Sequence, residues 1–89
     1  MDAMIGIRAW VAKVLQDIAD LRISGFDDDV ALRDDLHLDF LGVVELFTAA
    51  EWQFGVRIPD ESVHNARTIG NVITAISMAQ NRGALHHAA

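Results

Sequence analysis

Apolar residues recur at Met4, Ile7, Val11, Val14, Ile18 and Leu21. Steps of three and four residues lay one apolar stripe along a helix. Asp2 is a candidate N-cap for it, and Ser24-Gly25 closes the segment. Residues 26–39 then lose the period. Aspartates alternate there with Val30, Leu32, Leu36 and Leu38, which predicts a long loop pinned to a core by its apolar members. Loops of that length are uncommon in compact domains and often functional, so the functional focus is expected at its end. Asp39 has the character of an N-cap, and Phe40 to Phe54 reads as a second helix with Leu41, Val44, Phe47, Ala50 and Phe54 on one face. Gly55 fits the residue after its last turn. Pro59 keeps Ile58 out of a helix, and Asp60 to His64 makes only a short one, ended by Asn65. Thr68 caps a final helix whose buried stripe is Ile69, Val72, Ile73 and Ile76, running out near Asn81-Arg82-Gly83. The order is long helix, long loop, long helix, very short helix, final helix: an all-α bundle with no strand signal.

Composition agrees with one small folded domain over 1–83, followed by a tail at 84–89 with little to hold it, expected to be disordered. The 89 residues are 52% hydrophobic, enough to argue against disorder of the whole chain. Cysteine is absent, so neither a disulfide framework nor a thiolate metal site is available, and the expected setting is a reduced, cytoplasmic one. Asp2, Arg8 and Lys13 spoil a signal peptide, and no apolar run approaches the length of a membrane span.

Charge changes the picture more than composition does. The net charge is -6, and six aspartates (27, 28, 29, 34, 35 and 39) against Arg33 put a net of -5 between Asp27 and Asp39. Phosphate backbones need clustered Lys and Arg, so nucleic acid is a poor partner and a basic patch on a protein a better one. The aspartates do not make a calcium loop. Started at Asp27, an EF-hand needs glycine at its sixth position and Glu at its twelfth, where this chain has Leu32 and Leu38. His37, His64, His86 and His87 have no metal-ligand spacing, so no metal is expected. No nucleophile, base and orienting group can be assembled, so the chain is not expected to be an enzyme.

The stretch Asp35-Leu36-His37-Leu38-Asp39-Phe40-Leu41-Gly42-Val43-Val44-Glu45-Leu46 resembles the acyl carrier protein signature D-L-x-x-D-S-L-x-x-V-E-L. Glu51, Phe54, Ile58-Pro59-Asp60-Glu61 and Thr68-Ile69-Gly70 resemble later landmarks of that family, at its spacing. The resemblance implies an up-down, acyl-carrier-like four-helix bundle with a long first loop and a very short third helix. In the family, the serine opening helix II takes 4′-phosphopantetheine from coenzyme A, and the arm's thiol holds acyl groups. Its phosphodiester lies at a helix N-terminus, which favours negative charge. Phe40 stands at the matching position, and a phenyl ring has no nucleophilic oxygen. No phosphopantetheine is therefore expected there, and Ser24, Thr48 and Ser62 all lie away from the helix start.

The resemblance also implies a partner-reading face on helix II. Its expected members are Asp35, Asp39, Leu41, Glu45, Glu51, Trp52 and Arg57. Glu45 and Glu51 match family acids, whereas Gly42, Trp52, Gln53 and Arg57 fall where acids are common, which makes that face less acidic and adds an aromatic. The expected partner is a synthase, acyltransferase or transferase-like protein with a basic patch, met by a monomer; an acyl chain is a further candidate ligand. Three readings follow: a non-acylated interaction module of acyl-chain metabolism, a carrier modified at another hydroxyl, and a non-covalent lipid binder. Phe40 either plugs the mouth of an acyl pocket or docks on a partner, or merely packs over helix II and the loop. Trp52 is either an interface anchor or packed against helix I or the loop.

Overall fold

The computed structural model describes the backbone of residues 3–19 and 27–88, and the side chains of 6–18 and 27–82. Four helices appear in it: α1 Ala3–Ala19, α2 Phe40–Phe54, α3 Asp60–Asn65 and α4 Ile69–Ala88. Helix α1 packs on α2 and α4, and α2 also packs on α3 and α4. The Asp2 cap, the Leu21 end of the first stripe and the Ser24-Gly25 stop lie outside the described residues.

The buried stripe of α1 is Ile7, Val11 and Leu15, with Val14 and Ile18 only partly covered. Leu15 corrects the sequence reading, which carried the stripe through Val14. Steps of four rotate the face slowly, and Ile7, Val11 and Leu15 follow one another at that step. On α2 the buried residues are Gly42, Val43, Leu46, Phe47 and Ala50. Val43 and Leu46 therefore replace Leu41 and Val44 on the core face, and Leu41 is 69% exposed. The expected stripe of α4 is buried as read, widened by Ala75 and Ala79. Its backbone continues to Ala88, past the Asn81-Arg82-Gly83 stop read from the sequence. A glycine costs a helix only about 1 kcal/mol, and Ala84 and Leu85 behind it are strong helix formers.

The loop is not loose. Leu32, Leu36 and Leu38 are buried in the same core, and Val30 packs against it. An antiparallel bridge joins Ala31 to Thr68, with Leu32 N–H donating to Arg67 O at 2.9 Å and Ile69 N–H to Val30 O at 3.0 Å. Gly70 lies so close to Asp28 that a Cβ on it would stand 3.2 Å from the Asp28 carbonyl oxygen. Arg8 and Asp28 form a salt bridge at 2.5 Å, both side chains about half exposed. That hydrogen bond, with Coulomb attraction adding to it, holds the Asp28 carboxyl below the usual carboxylate range and raises the Arg8 guanidinium.

Candidate functional site at the start of helix α2

The loop ends by turning sharply into α2. His37 N–H donates to Arg33 O at 3.0 Å and Leu38 N–H to Leu32 O at 2.9 Å, one bond nested inside the other. The turn places His37 in the left-handed region, φ 59°, where histidine is several-fold enriched among non-glycine residues. Asp39 follows in extended conformation, and its Oδ1 accepts the Gly42 N–H at 2.8 Å. It satisfies one of the unpaired donors at the helix start, as expected of the cap.

Phe40 is therefore the first residue of α2, held at the helix mouth by its neighbour's cap. Its ring is 52% exposed and stacks on His64 of α3, centroids 5.1 Å apart and planes inclined by 23°. The orientation left open by the sequence is thus across the gap between α2 and α3. The stack borders two cavities. One, of about 490 Å³, lies between the loop, the start of α2 and the α3–α4 junction, with Leu32, Leu38, Val43 and Val63 on its wall. The other, of about 310 Å³, lies between α2 and α3 against Val44, Phe47 and Ile58. The sequence offered His64 as a non-ligand and as part of the short helix. Nothing in the spacing of residues 24 positions apart on different helices links it to Phe40.

The remaining expected site residues separate into two groups. Asp35 Oδ2 accepts the Ala31 N–H at 2.8 Å and so braces the loop. Glu51 Oε2 accepts the Ile58 N–H at 2.8 Å, tying the extended segment after α2 back to the helix. With Asp39, these acids have structural work beyond any role on a partner. Gly42 is also a packing residue: it is buried, and a Cβ there would meet Leu38 Cδ2 at 2.9 Å. This corrects its placement among the changes on the partner-facing side.

Leu41, Glu45 and Trp52 are free on the outer face, and Arg57 is exposed just beyond the helix. Trp52 is 85% exposed, so it packs on neither α1 nor the loop; the tryptophan that packs is Trp10, edge-on to Phe54 at 5.2 Å. Leu41, Glu45, Thr48 and Trp52 follow one another at four, three and four residues, which aligns them in a single exposed stripe. Leu41 and Trp52 mark its ends, about 16 Å apart at 1.5 Å per residue. Of the hydroxyls named from the sequence, Thr48 is about two turns down the stripe and Ser62 is partly covered on α3, while Ser24 lies outside the described residues. Among the described residues there is no group of three or more His, Cys, Asp or Glu placed to hold a metal ion, and no helix long and apolar enough to cross a membrane.

A bundle of two long helices, a one-turn-and-a-half third helix and a final long one, with a capped helix mouth at the end of an ordered loop, is the architecture of a carrier domain. Residues 9–76 match the family model described as phosphopantetheine attachment site, and the chain belongs to that family, the acyl carrier proteins. It is 38% identical over 73 residues to the acyl carrier protein of Acidothermus cellulolyticus, covering 82% of this chain and 87% of that one. It is 34% identical over 70 residues to the meromycolate extension acyl carrier protein of Mycobacterium leprae, covering 79% of this chain and 61% of that one. A solved structure assigned as an acyl carrier protein of Mycobacterium tuberculosis superposes with a TM-score of 0.75 at 26% identity, over 81% of this chain and 96% of that one. The expected all-α carrier bundle is what the structure has, and proteins of this family are carriers in acyl-chain metabolism rather than enzymes.

Proposed function

We propose that this chain is an acyl-carrier-like interaction module that takes no phosphopantetheine at the usual position. The observation that carries the reading is Phe40: at the capped first residue of α2 stands a ring without an oxygen, engaged with His64. The exposed stripe of α2 supplies the other half of the role. Leu41 and Trp52 are separated apolar anchors, with Glu45 between them and Arg57 beyond the Trp52 end. Large exposed aromatics of this kind dominate binding energy at interfaces. The fitting partner offers a basic patch to Glu45 and the Asp35 end, apolar recesses for Leu41 and Trp52, and an acid for Arg57. A synthase, acyltransferase or transferase-like protein of acyl-chain metabolism in the cytoplasm fits that description, met by one copy of the chain.

Intact-mass measurement tests it. With coenzyme A and a broad-specificity phosphopantetheinyl transferase, the mass is expected to stay unchanged, and Phe40→Ser is expected to gain one phosphopantetheine. A gain by the unaltered chain, mapped to Thr48 or Ser62, would replace this reading with that of a carrier using a different hydroxyl. Refusal by Phe40→Ser would mean that the surface read by the transferase has changed along with the serine.

A further inference from the structure

The exposed stripe of α2 reads the same in both directions. Leu41, Glu45, Thr48 and Trp52 stand at steps of four, three and four, and their order is apolar, polar, polar, apolar. The midpoint of the outer pair is also the midpoint of the inner pair, between the buried Leu46 and Phe47. A symmetric contact between two identical surfaces requires that property, because residue i must meet j while j meets i. The outer pair carries the most apolar surface to be covered, with Leu41 69% and Trp52 85% exposed. Charge is arranged in the same sense. Asp34, Asp35 and Asp39 outweigh Arg33 at the Leu41 end, whereas Arg57 is exposed just beyond the Trp52 end. Among the described residues Arg57 is in no salt bridge.

We propose that a second copy of this chain covers the stripe when no other partner holds it, the two α2 helices lying antiparallel about a two-fold axis between Glu45 and Thr48. Leu41 then meets the other copy's Trp52 at both ends, and in the middle the Thr48 hydroxyl donates to the other copy's Glu45 carboxylate. Turning one helix end for end also brings each Arg57 to the acidic start of the other copy's α2. The opposed helix dipoles favour the same orientation. Two features keep the pair weak. Both Glu45 carboxylates lie near the axis, where like charges repel. The area is also small: 15 residues make a helix about 22 Å long and about 10 Å wide, well below the about 800 Å² per partner of a stable interface. Dissociation is therefore micromolar or weaker, and a docking protein takes the stripe by displacing the second copy. The pairing rests on the α2 stripe of the proposed function and not on the missing arm at Phe40.

Sedimentation equilibrium of the full chain from about 10 µM to about 1 mM tests the pairing, and a monomer–dimer equilibrium is expected within that range. Trp52→Ala should weaken it about tenfold or more, as loss of an aromatic anchor does at an interface. Arg57→Glu sets an acid against the other copy's acidic loop end and should weaken it as well. Both positions are exposed, so folding should survive, and matching circular dichroism spectra check it. The orientation is read separately. The chain lacks cysteine, so Gln53→Cys, at an exposed position, carries a single spin label. At 1.5 Å per residue, two such labels stand about 20 Å apart along the helices in the antiparallel pair, against about 10 Å across the helices in a parallel one. A dimer with labels near the longer spacing supports the proposal. A monomer at every concentration, a dimer indifferent to Trp52→Ala or Arg57→Glu, or labels at the parallel spacing would overturn it. None of these outcomes touches the reading of Phe40, which the intact mass decides.

Discussion

At the scale of single residues, Asp39 and Phe40 divide the helix mouth between them. Asp39 caps the α2 start, and Phe40 puts a ring without an oxygen at its first position. The division is testable because the two functions are separable. Asp39→Ala removes the acceptor of the Gly42 N–H and should cost about 1 kcal/mol in urea unfolding. Phe40→Ala, which removes a half-exposed ring and its stack on His64, should leave the Asp39 cap in place. Asp39 and Gly55 were legible in the sequence because each acts through its own backbone neighbourhood, and Phe40 because it falls at one position of the family signature. Gly55, for instance, takes φ 63° and closes α2 with its N–H on Glu51 O. The partnership of Phe40 with His64 was not legible, since it depends on how α3 is laid against α2.

At the scale of elements, the loop behaves as a fifth packed layer. Its alternating apolar residues revealed that it would be anchored. They could not reveal the bridge to Thr68, which is made of backbone groups common to every residue type. Helix faces were legible only to within one position. Leu15, Val43 and Leu46 took core places that neighbouring apolar residues seemed to fill equally well, and the choice lay with the partner helices. The Arg8–Asp28 bridge joins loop to α1, and its pH dependence has a definite sign. The Asp28 carboxyl is lowered in the folded chain, so its contribution is present above the unfolded carboxylate range and is lost as the pH falls through the folded value. Thermal unfolding of Asp28→Asn should therefore lie below wild type near neutral pH and converge with it in acid. Raised salt at neutral pH should shrink the gap as well, because both side chains are about half exposed.

For the whole molecule, the core and the outer face of α2 are independent. Leu15 is fully buried, so Leu15→Ala should cost about 2–5 kcal/mol in denaturant unfolding. Leu41→Ala, at a position 69% exposed, should stay within about 0.5 kcal/mol of wild type. If Leu41→Ala instead cost as much as Leu15→Ala, the stripe would be serving the fold and not a partner. The fold was readable from the chain because its capping, turn and stripe signals all agree. The surface role was only partly readable. Trp52 and Gly42 have similar standing in a string of letters, yet one is almost wholly open to solvent and the other is pressed under Leu38.

The bridge between the loop and α4 also makes two amide protons into reporters on the closed bundle. Leu32 N–H is held by Arg67 O and Ile69 N–H by Val30 O, across more than thirty positions of chain, and neither belongs to a helical ladder that could fray turn by turn. Releasing them requires the loop to lift away from the start of α4, taking Leu32 out of the core. In deuterium oxide, these two protons should exchange with matching free energies close to that of global unfolding. A much faster rate at Leu32 and Ile69 than in the middle of α4 would mean that the loop opens as a unit of its own, baring the cavity beside Phe40 while the helices stay packed.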